Sequence, residues 1–98
     1  MGGLKVKSYF KRFMPGEKVL KLCREILVLA LEITEETKAD AFVDYSGHEK
    51  ELSVRIFLDG WTSGANSDIR HSIDLNKDDA VDKLRLVRHT LRYLKGRD

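Results

Sequence analysis

The chain has 98 residues and a mass of 11.3 kDa, room for one small domain and no second core. Its 18 basic and 16 acidic residues nearly cancel, which excludes a polybasic, histone-like protein and disorder driven by net charge. The single cysteine excludes a disulfide framework and a multi-cysteine zinc site.

Charge is unevenly spread: residues 1–24 carry +6, residues 25–82 carry −9 and residues 83–98 carry +5. Near-neutrality is therefore the sum of opposed blocks, and such asymmetry bears on partners. Two readings stay open: the basic ends neutralise the acidic middle within the fold, or they meet an external polyanion. The longest apolar run, Ile26 to Leu31, is six residues, far short of a membrane span. The N-terminal lysines precede no apolar core of a secretion signal. A cytoplasmic protein without a membrane partner is expected.

Residues 1–16 alternate Leu4, Val6, Ser8 and Phe10 with Lys5, Lys7, Tyr9 and Lys11, the pattern of a short strand or an ordered arm. Pro15-Gly16 separates this segment from a single domain over 17–98. The spacing predicts a first helix from Glu17 to about Lys38. Val19, Leu22, Cys23, Ile26, Leu29, Ala30 and Ile33 form its core stripe, and Leu20, Leu27 and Leu31 widen one flank. The apolar arc spans roughly 200°, about twice what a singly packed surface helix needs. This helix is expected to cover a sheet and to meet something else, either the second helix or another subunit.

Three strands follow. Asp40–Tyr45 alternates, with Ala41, Val43 and Tyr45 opposite Phe42 and Asp44; the polar turn Ser46–Lys50 predicts a hairpin. Glu51–Asp59 sets Leu52, Val54, Ile56 and Leu58 against Ser53, Arg55, Phe57 and Asp59. After a glycine-containing loop with an isolated Trp61, Ile69–Leu75 points Ile69, His71, Ile73 and Leu75 inward. A second helix is expected over about Lys77–Lys95, with Asn76 as N-cap, Asp79 in its first turn and Ala80, Leu84, Val87, Leu91 and Leu94 as its core stripe. The order predicts a two-layer α+β domain, helix-strand-strand-strand-helix. Its three-stranded antiparallel sheet carries both helices on one face.

The opposite sheet face then presents Phe42 and Phe57 beside Arg55 and Arg70, with Asp44, Asp59 and Asp74 among them. Aromatics on a sheet stack bases in some single-strand RNA binders. Here the carboxylates would repel phosphate, so burial of Phe42, Arg55 and Phe57 against protein is favoured, with Leu86 and Tyr93 of the second helix as a further apolar contact. The expected function is a non-enzymatic interaction module forming a homodimer. Nucleic-acid binding is the alternative. It would use Lys5, Lys7, Lys11 and Arg12 of the arm together with the stripe Arg85, Arg88, Arg92 and Lys95. The bland reading of that stripe pairs it with Glu25, Glu32, Glu35 or Glu36 of the first helix.

No motif calls for catalysis, a metal or a cofactor. His48, His71 and His89 share no ligand spacing, Asp44 and Glu51-Leu52-Ser53 lack the lysine of a metal-dependent nuclease, and the loop glycines precede a strand rather than a helix. The element order matches the double-stranded RNA-binding domain, whose second helix opens on a lysine cluster. Here that start is the acidic Asn76-Lys77-Asp78-Asp79, so the likeness is topological only. The run from Ala39 through His48 and on to Asp59-Gly60-Trp61 resembles small uncharacterised proteins encoded by phages and prophages of Gram-positive bacteria. The resemblance implies a bacterial or phage cytoplasmic setting and carries over no functional residue.

Overall fold

The structure is a computed structural model that describes residues 16–96. The expected arm at residues 1–16 lies outside the described residues except for Gly16. The elements are helix α1 (Glu17–Glu36), strands β1 (Asp40–Ser46), β2 (Glu51–Phe57) and β3 (Ile69–Asp74), and helix α2 (Ala80–Gly96). The strands form one antiparallel sheet in the order β1-β2-β3, so β2 is central. The predicted α+β order is the observed one.

Alternation along β2 makes the two-layer arrangement. Leu52, Val54 and Ile56 are buried and join one core with Ile26 and Ile33 of α1, Leu84 and Leu91 of α2, and Ile73 of β3. Across the sheet, Val43 stands opposite Val54, and Val54 opposite His71, which is half-buried on this helix-facing side. The two helices pack against each other, with α1 also meeting β1 and α2 meeting β3.

Element ends depart from the sequence reading for local reasons. Helix α1 stops at Glu36, two residues before Lys38. The Thr37 hydroxyl donates back to the Ile33 carbonyl at 2.8 Å and accepts the Ala39 N–H at 3.0 Å, turning the chain out of the helix. Asn76 is not the cap of α2. Its N–H is held by Asp74 Oδ1 at 2.9 Å in a turn, the Lys77 N–H bonds the Asp74 carbonyl, and the helix begins only at Ala80. Gly96 is the last residue of α2, one beyond the predicted end at Lys95.

Two aspartates hold the β2–β3 loop, and strand β2 ends at Phe57 rather than Asp59 because of them. The Leu58 N–H donates to Asp68 Oδ2 at 2.7 Å, and the Trp61 N–H to Asp40 Oδ2 at 2.6 Å. Between them Gly60 sits at φ +93°, where a Cβ would lie 3.4 Å from the Lys38 carbonyl oxygen. Gly60→Ala is therefore expected to cost about 1–2 kcal/mol, read as a lowered melting temperature. An unchanged melting temperature would mean that the loop has no such constraint.

Candidate functional site

Three surface assemblies contain the side chains singled out from the sequence. The first lies along the α1–α2 seam. Glu25 Oε2 accepts Arg88 Nη1 at 2.7 Å and lies 3.4 Å from Arg92 Nη2, while Lys95 Nζ reaches Glu32 Oε2 at 2.9 Å. Three of the four cations of the α2 stripe are thus engaged by carboxylates of α1, and Arg85 is exposed. The arm residues Lys5, Lys7, Lys11 and Arg12 lie outside the described residues.

The hydrogen bond from Arg88 holds the Glu25 carboxyl below its ordinary 4.5, with the fields of Arg88, Lys21 and Arg92 adding to it against partial desolvation. A depressed folded pKa contributes stability that is present above the unfolded value and lost as pH falls through the folded one. Lys95 is the reverse case: its hydrogen bond to Glu32 raises it above 10.5, so its contribution holds below that value and is lost as pH rises through the folded pKa. Glu25→Gln is expected to flatten the acid side of the melting-temperature profile, below about pH 4.5, and to leave the alkaline side unchanged. An acid limb as steep in the variant as in the parent would remove Glu25 from that role.

The second assembly is on the sheet face away from the helices. Phe42 and Phe57 meet edge to face, with centroids 5.4 Å apart and planes at 74°. The Arg55 guanidinium lies 4.9 Å from the Phe42 centroid and 6.0 Å from that of Phe57, and its Nη2 is 3.7 Å from Asp44 Oδ2. The sequence pairing is therefore seen in space, but Phe57 is 3% exposed and is not presented as the alternation implied. Its ring is consumed within the chain, and Arg55 is already committed to the two rings and Asp44. Leu86 and Tyr93 are exposed on α2, in the helical layer, and do not join this cluster.

The third assembly was only half visible in the sequence. Helix α1 buries Val19, Leu22, Ile26, Ala30 and Ile33, yet leaves Leu27 50% and Leu31 59% exposed on the flank above β1. Between that flank and β1 run two adjoining grooves of about 440 and 310 Å³, which share Leu27 and Val43. Tyr45, expected to face inward, lines the larger groove and is 49% exposed because β1 is an edge strand with no layer beyond it. The polar limits of the grooves are Arg24 at one end and Thr34 and Glu35 at the other. The over-wide apolar arc of α1 was the signal for this surface; the register of β1 beside it was not readable.

Cys23 is half-buried, and burial pushes its thiol above the ordinary 9.0, away from a reactive thiolate. Among the described residues no three His, Cys, Asp or Glu side chains group as metal donors, and no helix is long and apolar enough to cross a membrane. No family model, curated protein or solved structure matches the chain.

Proposed function

We propose that the chain is a non-enzymatic, self-associating interaction module, and that its contact surface is the α1 flank together with β1. One observation carries this reading: Leu27 and Leu31 stand half or more exposed on the same flank, over grooves lined mainly by apolar side chains. Large apolar side chains contiguous with an edge strand mark a surface awaiting cover. The Phe42–Phe57–Arg55 cluster has less to offer a partner, since its groups already engage one another. Nucleic-acid binding, which would use Arg88, Arg92 and Lys95, has to compete with the carboxylates that already hold those cations. The phage-protein resemblance adds a cytoplasmic bacterial or phage setting to the proposal.

The test is size-exclusion chromatography with light scattering across a dilution series. The expected mass rises from 11.3 kDa toward twice that value as concentration increases through the micromolar range. A constant 11.3 kDa at high micromolar concentration would overturn self-association.

A further inference from the structure

We propose that the partner is a second copy bound about a two-fold axis perpendicular to the sheet. In this dimer β1 pairs antiparallel with its counterpart, Val43 facing Val43, and the two α1 helices meet above that junction. The proposal rests on the self-association reading and specifies its geometry.

The backbone indicates which part of β1 is open. Thr34 Oγ1 accepts the Ala41 N–H at 3.0 Å, so Ala41 turns its amide away from β2. Alternation then turns the N–H and C=O of Val43 and Tyr45 the same way, since successive residues of an antiparallel strand address opposite neighbours. Strand β1 contains no lysine or proline, two of the devices that ordinarily blunt a sheet edge; its charges are Asp40, whose Oδ2 accepts the Trp61 N–H, and Asp44, which pairs with Arg55. Because Thr34 already occupies the Ala41 amide, the shared ladder is short: Val43 exchanges both bonds with its counterpart, and the Tyr45 N–H donates to the Ala41 carbonyl across the axis.

Charge removes the two registers on either side of the one centred on Val43. A two-fold perpendicular to the sheet keeps all helices on one face and requires one residue of β1 to sit opposite itself. Centring on Phe42 would set Asp40 opposite Asp44; centring on Asp44 would set that carboxylate opposite itself. Like charges directly across a sheet are destabilising. Centring on Val43 pairs Ala41 with Tyr45, Phe42 with Asp44 and Asp40 with Ser46, and no carboxylates face each other.

The helices support the same axis. Leu27 and Val43 line both grooves, so the middle of the α1 flank and the middle of β1 lie at one level. Running α1 antiparallel to its counterpart there sets Leu27 beside its own counterpart at the axis, with one Leu31 flanking it on each side. The same operation brings Arg24, at one limit of the grooves, toward Glu35 at the other limit in the second copy. Apolar centre and opposite charges at both ends make the flank self-complementary, as an isologous interface requires.

The experiment is site-directed disulfide trapping in a Cys23→Ser background, which removes the only native thiol. A hydrogen-bonded antiparallel pair holds its Cα atoms about 5.5 Å apart, within the roughly 4.4–6.8 Å that a disulfide spans. Val43→Cys is expected to form a covalent dimer under mild oxidation. Phe42→Cys and Asp44→Cys are expected to cross-link only when mixed with each other. In parallel, amide exchange of the unmodified protein should slow at least about tenfold at Val43 and Tyr45 between dilute and concentrated samples. Self-linking of Phe42→Cys or Asp44→Cys in place of Val43→Cys, or unprotected Val43 and Tyr45 amides in a sample whose mass is that of a dimer, would overturn this geometry and leave self-association standing. A monomer throughout the dilution series would overturn both.

Discussion

Ile26→Ala is expected to remove about 2–5 kcal/mol of folding stability, the range for truncating a fully enclosed isoleucine. Ile26 is 0% exposed and lies in the cluster that joins both helices to the sheet. The surroundings have little freedom to fill the void. The preceding residue, Glu25, is tied to Arg88 of α2, and Thr34 further along α1 is tied to Ala41 of β1. A domain of this size has about 5–15 kcal/mol in total, so the loss is a large share of it. In a melting experiment each kcal/mol corresponds to about 4–8 °C for such a domain. Leu86→Ala, at an exposed position of α2, should stay within about 0.5 kcal/mol of the parent. Equal losses in the two variants would mean that burial in this core does not control stability.

Leu27→Glu should dissociate the proposed dimer by at least about a hundredfold. Each copy contributes one Leu27, so the substitution removes two apolar contacts of about 1.5 kcal/mol or more and replaces them with carboxylates. The isolated chain should be unaffected, because Leu27 is half exposed there and surface changes are worth about 0.5 kcal/mol or less. The readout is therefore paired: mass by light scattering falls to one copy at concentrations where the parent is a dimer, while the melting temperature of the dilute protein is retained. Leu86→Glu separates the surfaces. If it dissociates the dimer and Leu27→Glu does not, the contact lies on the outer face of α2 with Leu86 and Tyr93.

The architecture was legible because periodicity and punctuation agreed. Leu52, Val54 and Ile56 alternate with no interruption, Ala80 to Leu94 repeats at helical spacing, and the observed core contains both sets. What escaped was decided by side chains acting on the backbone. Thr37 ends α1 early and Asp74 delays α2, through hydrogen bonds that no apolar pattern encodes. Phe57 follows the alternation onto the far face yet is buried, since alternation assigns a side but not a depth. The candidate contact surface was legible by half. The surplus width of the apolar arc on α1 announced that something remained uncovered, but that the flank stands over the middle of an edge strand depends on how helix and sheet are set together.

Helices α1 and α2 bracket the strands in sequence and lie side by side in space, with Glu25 and Arg88 separated by 63 positions. The strands need only near neighbours to pair, whereas the layer that covers them is supplied from both ends. During synthesis the sheet and α1 emerge first, and until α2 follows, Leu52, Val54, Ile56 and Ile73 have only half their cover. The nascent chain thus passes through a stage with an adhesive sheet face, and the acidic side chains that will meet Arg88 and Lys95 are still without those cations. Closure of the second helix ends both exposures in one step.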